Sequence, residues 1–390
     1  MGTNSLLFSA PPALNPARES YRNRNRDITT LQFLRTGDST EEILNSSPHY
    51  DSNQGIPYLM QCFNIGVVLG GGSFGVVVEA TCKASGRKFA IKRSKEPFRS
   101  PSDRHFKMKE LRRFEMISPH PNVLDLQGAW QEDRHLYIQT EFCVSTLSVF
   151  CRSDLFSKPV LYFSSRDVTT AVDHVHKHGL IHVDIKPENV LVTNQGVCKL
   201  ADFGASYIPQ EDKDLWEDGD CRYLSHDLLN NAPTTMSDVF SLGMTLFEIA
   251  SRCALPKNNE EWRALRTDGY VETILMEHCP EMAEMIGAAV RNEPQARATT
   301  VQLLEALNHL CSPHSRSEVN WQWSPPQTPL PPGLRAPLPG VKEEPILATP
   351  PSTPPHDKYG YETPDYFIVT PRAIQSERKP IRPLRFKFDD

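Results

Sequence analysis

No run of apolar residues in this chain approaches the ~20 needed to span a bilayer. The longest candidate, residues 239–250, is too short. A secretory signal is also missing. The nine cysteines lie scattered from Cys62 to Cys311 without a CxxC pair, which predicts reduced thiols in the cytosol or nucleus and argues against structural zinc. Thirteen histidines show no HExxH spacing. His174, His176 and His178 read as helix-end residues rather than metal ligands. Positive charge is in deficit, with 42 Lys and Arg against 48 Asp and Glu and a formal net charge of -6, which disfavours a nucleic-acid binder.

What is present divides the chain into three. Residues 1–58 are polar, with an Arg/Asn patch over 22–26 and no sustained apolar periodicity, the composition of a mostly disordered segment. Residues 59–311 can bury one large two-lobed domain of α+β class. Alternating apolar residues and one helix predict a small β-rich lobe over 59–139, then a hinge at 140–143 and a helical lobe over 144–311. Within that lobe Val168, Ala171, Val172 and Val175 recur at spacings of three and four, one buried helix face. From 312 to 390 proline becomes dense, predicting an extended, flexible tail.

The chemistry is concentrated in two short runs. His182-Val183-Asp184-Ile185-Lys186-Pro187-Glu188-Asn189, followed by Asp202-Phe203-Gly204, has the spacing of the catalytic and metal-binding loops of protein kinases. Asp184 is placed to accept the proton of an attacking hydroxyl, and Lys186 to stabilise the moving phosphoryl group. Asn189 and Asp202 are placed to hold Mg2+ on the phosphates of ATP. Phosphoryl transfer asks for in-line positioning and charge neutralisation rather than covalent chemistry, so this small set suffices.

Upstream elements follow in the matching order. Leu69-Gly70-Gly71-Gly72-Ser73-Phe74-Gly75-Val76-Val77 fits G-x-G-x-x-G-x-V. Glycines let the backbone fold closely over a triphosphate, and Val77 would pack on the adenine. A dinucleotide turn would need a helix next, whereas Val76–Ala80 continues as a strand. Phe89-Ala90-Ile91-Lys92 supplies the lysine for the α/β-phosphates, with Glu110 as its expected helix-borne partner and Glu115 as the alternative. Thr140-Glu141-Phe142-Cys143 is the expected hinge, its backbone holding the adenine edge and Thr140 guarding the back pocket.

Departures from the common pattern carry information. Val183 stands where an arginine often precedes the catalytic aspartate and pairs with a phosphorylated activation loop, which predicts activity without such phosphorylation. Ser225-His226-Asp227 stands where Ala-Pro-Glu is usual, and Asp227 is expected to pair with Arg297. Asp238 is expected to bind the backbone of the catalytic loop.

Gly219-Asp220-Cys221-Arg222-Tyr223-Leu224 resembles the GD-x-RY/F signature of the Wee/Myt kinases. Lys92-Arg93-Ser94 with Pro97-Phe98-Arg99 and Asp103-Arg104, and Leu255-Pro256 with Trp262, Leu265-Arg266 and Gly269-Tyr270, resemble the membrane-associated tyrosine- and threonine-specific (Myt) branch. The intact Phe203 points the same way. The resemblance covers about residues 60–310 and implies a kinase that phosphorylates the glycine-loop threonine and tyrosine of a mitotic cyclin-dependent kinase, inhibiting it and delaying M phase. Residues alone point elsewhere on specificity, because Lys186 two places after Asp184 is the Ser/Thr-kinase arrangement. The branch typically carries a transmembrane helix that is not found here, and Met1-Gly2-Thr3-Asn4-Ser5-Leu6 has Leu6 where a myristoylation site prefers Ser or Thr. A soluble, monomeric protein is expected.

The tail adds two readings. Arg382-Pro383-Leu384-Arg385-Phe386 fits the R-x-L-x-F pattern that docks on cyclins, Leu384 and Phe386 filling an apolar groove and Arg382 meeting acidic rim residues. Docking would raise the effective concentration of a cyclin-bound target. Against this stands a plain basic terminus or nuclear-import patch. Thr328, Thr349, Thr353, Thr363, Thr370, Ser47 and Ser324 each precede proline, allowing feedback by proline-directed phosphorylation. A scaffold that inhibits through its tail without catalysis is the rival from another class.

Overall fold

The computed structural model describes residues 31–34, 47–71, 75–212, 216, 218–229, 231–257, 260–319 and 321. Chain order begins with strand β1 (Gln32–Phe33) and helix α1 (Tyr58–Cys62). The hairpin β2 (Phe63–Gly71) and β3 (Gly75–Cys82) follows, then β4 (Lys88–Ser94) and helix α2 (Pro101–Ile117). Strands β5 (Leu126–Glu132) and β6 (His135–Glu141) complete the first lobe. The sheet order is β1-β5-β6-β4-β3-β2, every pairing antiparallel.

Period-two alternation sorts this sheet into two faces. Val78, Ala80, Phe89, Ile91, Trp130 and Tyr137 lie on one face, buried with Leu59 and Phe63 of the α1–β2 junction. Trp130 stacks on Tyr137 with ring centroids 5.0 Å apart. The opposite face carries Val77, Ala90, Lys92 and Thr140, because Val77 pairs with Lys92 and Ala90 pairs with Thr140 across the strands. That face looks toward the second lobe. Helix α2 starts on the Ser100 cap, whose hydroxyl accepts from the Asp103 N–H, and buries Met108, Leu111, Phe114 and Ile117.

The second lobe begins with β7 (Ser145–Thr146) and α3 (Leu147–Phe150). Helix α4 (Lys158–Lys177) follows, burying Val168, Ala171, Val172 and Val175 on the expected face. The β8 (Val190–Val192) and β9 (Cys198–Leu200) hairpin pairs with β7. Short helix α5 (Pro209–Asp212) leads to α6 (Thr235–Ser251). A reciprocal Thr234–Ser237 capping box starts α6, and it is buried along nearly its whole length. Gly243 of α6 is set by packing, since a Cβ there would meet the Val290 side chain at 2.6 Å. Helices α7 (Glu260–Ala264), α8 (Tyr270–His278), α9 (Pro280–Ala289) and α10 (Thr300–Cys311) complete the lobe.

Three boundaries differ from expectation. Strand β6 runs on through Thr140 and Glu141, so Phe142–Val144 is the non-strand connection between lobes rather than 140–143. Parts of 1–58 are structured: β1 pairs with β5, Leu34 joins the core, and Gln61 binds the Asp51 N–H and the Ile56 carbonyl. Two-residue strands lie below any periodicity signal. The fold also continues past 311, because Trp321 is buried against Phe150. Arg316 pairs with Asp167 at 2.7 Å and lies over the Trp321 ring. Gly196, at φ 74°, lies so close under Trp321 that a Cβ would overlap the indole.

Candidate active site

The glycine-rich segment is the β2–β3 hairpin. Leu69, Gly70 and Gly71 end β2, while Gly75 and Val77 lie in β3, with Gly70 opposite Val77. Gly72, Ser73 and Phe74 lie outside the described residues. Gly75 is required by close approach, as a Cβ would meet the Arg93 carbonyl oxygen at 2.3 Å. Lys92 Nζ donates to Glu110 Oε1 at 2.7 Å and lies 3.8 Å from Asp202 Oδ1. Burial pushes the Glu110 carboxyl up against the pull of Lys92. Burial acts the same way on Asp202, but the attraction of Lys92, with Lys186 beyond it, outweighs burial and holds Asp202 low and ionised.

Thr140 is buried at the back of this face, its hydroxyl donating to the Glu141 carbonyl at 3.2 Å. The Glu141 carboxylate is pinned by Lys199 at 2.7 Å and by the Asp125 N–H. Cys143 is buried, and burial pushes its thiol up.

In the catalytic loop, Asn189 Nδ2 donates to the Asp184 carbonyl and to Asp184 Oδ2, both at 2.8 Å. Lys186 Nζ lies 2.7 Å from Asp184 Oδ2. It is almost fully buried, and although burial lowers its pKa, Asp184 and Asp220 raise it further, keeping it charged. Both Asn189 side-chain bonds use its NH2 group, leaving the amide oxygen for a cation beside Asp202. Among the described residues no group of three or more His, Cys, Asp or Glu could hold a metal. Two oxygen donors fit a hard cation that takes its remaining ligands from phosphates and water.

Asp238 fixes this loop from below: its carboxylate accepts from the His182 and Val183 N–H groups at 2.7 and 2.8 Å. Phe203 is fully buried between Phe114 of α2 and His182, so the glutamate helix and both loops share one aromatic contact. Val183 adopts φ 72°, strained for a β-branched residue. It packs with Ile181 and Tyr207, and with the partly buried Trp216 and Ala232.

Other groups in the site were not singled out as catalytic or binding by motif. The Asp220 N–H donates to Asp184 Oδ1 at 3.0 Å, and Gly219 passes so close to Val183 that a Cβ would meet its carbonyl at 2.4 Å. Arg222 joins Asp220 at 2.6 Å and Glu188 at 3.4 Å. The Gly-Asp-x-Arg signature thus bolts the activation segment to the catalytic loop. On α2, buried Arg113 donates to the Ser206 carbonyl and to Asp212 of α5, and Lys109 pairs with Asp212 at 2.7 Å. A face-sharing position three residues after Glu110 was the available signal. Arg297 pairs with Asp227 at 2.5 Å and also donates to the Met236 carbonyl. The shorter carboxylate is therefore sufficient there.

Arg382, Leu384, Phe386 and the Thr-Pro sites lie outside the described residues. No described helix is long and apolar enough to cross a membrane.

Comparison with known proteins matches residues 63–310 to the protein kinase domain family. A membrane-associated tyrosine- and threonine-specific cdc2-inhibitory kinase of Caenorhabditis elegans is 34% identical over 66% of this chain and 38% of its own length. A Drosophila melanogaster protein of the same description is 31% identical over 72% of this chain and 54% of its own. A Wee1-like protein kinase of the same fly is 31% identical over 68% of the chain and 49% of its own. The chain thus spans about half, or less, of the length of these relatives. With the kinase-domain match running through the hairpin, catalytic loop and activation segment described above, the chain belongs to the protein kinase family.

Proposed function

We propose that this protein transfers the γ-phosphoryl group of ATP to the glycine-loop threonine or tyrosine of a mitotic cyclin-dependent kinase, inhibiting it and delaying entry into M phase. The observation that carries the phosphotransfer reading is the Lys186–Asp184–Asn189 cluster, within the same site as the Lys92–Glu110 pair and Asp202. Similarity to the cdc2-inhibitory kinases supports the choice of target.

Lys92, oriented by Glu110, grips the α- and β-phosphates. Val77 and Ala90 pack on the adenine, and the backbone after Thr140 holds its edge. Asp184 orients the attacking hydroxyl and takes its proton. Lys186, already bridging toward Asp184, follows the phosphoryl group as it moves. Mg2+ bound through Asn189 and Asp202 would neutralise charge on the phosphate oxygens. Phosphate placed on the target's own glycine loop would spoil its nucleotide alignment. Docking through Arg382, Leu384 and Phe386 would hold the cyclin-bound target near, and the protein is read as a monomer acting in the cytoplasm or nucleus.

A second reading, a Ser/Thr kinase with other substrates, is favoured by one observation, the lysine at 186. Incubation with a cyclin–cyclin-dependent kinase complex carrying a dead target, with Mg-ATP, followed by phosphosite mapping, separates them. Phosphate on the target's glycine-loop threonine or tyrosine is the expected result; phosphate only on casein would leave the second reading.

A further inference from the structure

Side chains hold four successive carbonyls of the activation segment. The Cys221 carbonyl accepts from Trp262 Nε1 at 2.8 Å and from Arg266 Nη2 at 3.3 Å. The Arg222 carbonyl accepts from Arg266 Nη2 at 3.1 Å, and the Tyr223 carbonyl from the Ser241 hydroxyl at 3.0 Å. Arg266 Nε and Nη2 both reach the Leu224 carbonyl, at 2.9 and 2.7 Å. Its Nη1 donates to the Trp262 carbonyl at 2.9 Å. The guanidinium carbon lies 3.5 Å from the centre of the Trp262 ring.

Arg266 is 2% exposed, yet no carboxylate pairs with it among the described residues. A buried cation without a counter-ion is costly. Here converging carbonyl dipoles and the indole face take the place of an anion. The converse also holds: carbonyls 221, 222 and 224 turned toward one point repel each other unless a cation sits among them. A lysine could supply the charge but not the planar fork that reaches three carbonyls together.

This segment is the approach to the site. Its preceding residue, Asp220, donates its N–H to Asp184, and Gly219 through Arg222 remain partly exposed beside the catalytic loop. A hydroxyl presented to Asp184 must arrive on a chain laid across it. We infer that Arg266, backed by Trp262, is a positioning residue that shapes residues 219–224 as the platform for the protein substrate, acting on substrate engagement and leaving ATP chemistry untouched. The inference rests on the phosphotransfer reading but on neither choice of target.

The test compares the full chain with Arg266→Lys and the milder Trp262→Phe, which keeps a smaller aromatic face under the guanidinium and loses the Nε1 donor with the five-membered ring. Each is assayed on the cyclin–cyclin-dependent kinase complex and on casein, alongside ATP hydrolysis without protein substrate. Expected for Arg266→Lys is an approximately tenfold loss of kcat/KM on whichever protein is phosphorylated, mainly through KM, with ATP hydrolysis within about twofold of the parent. Trp262→Phe should lose about threefold. Deuterium uptake over 219–224, which needs no substrate, should rise in both. Unchanged KM and uptake would overturn the inference, as would ATP hydrolysis falling in step with phosphotransfer. Phosphorylation of casein alone would remove the cyclin-dependent kinase reading and leave the Arg266 comparison intact.

Discussion

Asp184 accepts hydrogen bonds from the Asn189 amide, the Lys186 ammonium and the Asp220 N–H. An asparagine there keeps one acceptor oxygen, for Asn189 and Lys186, but sets an NH2 against the Asp220 N–H and loses the proton acceptor. Asp184→Asn should therefore lower phosphotransfer about 10²–10⁴-fold with cyclin binding retained and a lower thermal midpoint, because buried Lys186 loses its paired charge. Full inhibition of the target by this variant would support a scaffold instead. Asp184, Lys186 and Asn189 were legible because eight consecutive positions, 182–189, fix their mutual spacing. Arg266 was noticed only as part of a resemblance, since the activation-segment carbonyls it holds lie more than forty positions away in sequence and converge only after folding.

Burial raises the Glu248 carboxyl to about 7 from its ordinary 4.5, even though the Tyr223 hydroxyl donates to it. Between pH 4.5 and about 7 the folded protein keeps a proton that the unfolded chain has released. Stability is thus greatest at the acid end of that window and falls as pH rises through it, by at most about 3 kcal/mol for this group. Glu132 is raised to about 7 by burial with the same sign. Glu248→Gln should flatten the fall measured by urea denaturation at pH 5 and pH 8. A slope equal to the parent's would refute the assignment.

Helix α2 and the activation segment are coupled as elements through one carboxylate. Asp212 of α5 meets both Arg113 and Lys109 of α2, and Arg113 also holds the Ser206 carbonyl. Asp212→Ala takes the paired carboxylate from a buried guanidinium and should cost about 3–5 kcal/mol, with a higher KM for ATP as Glu110 loosens from Lys92. The sequence could not announce this pair, because 99 residues separate its members. Val183 tells a related story. Where an arginine would await a phosphate, an apolar cluster of Ile181, Val183 and Tyr207 already joins the two segments. Activity should survive phosphatase treatment of the purified protein, assayed after the phosphatase is removed.

At the scale of the whole molecule, the bilobal α+β plan was readable from motif order and periodicity, whereas its edges were not. β1 is two residues long, and Trp321 sits in a stretch whose composition announces only proline. Removing residues 380–390 tests the tail at this scale. Phosphorylation of a cyclin-bound target should fall about tenfold or more through lost tethering, while turnover of casein stays unchanged. Equal loss on both would remove the docking role.

Trp321 lying over Gly196 also says where a protease would stop. Trimming from the C-terminus should halt near residue 321, since cleavage further in requires pulling an indole off the β8–β9 turn. A Gly196→Ala protein, with that seat filled, should be trimmed back toward the end of α10, and intact mass of the two digests would reveal the difference.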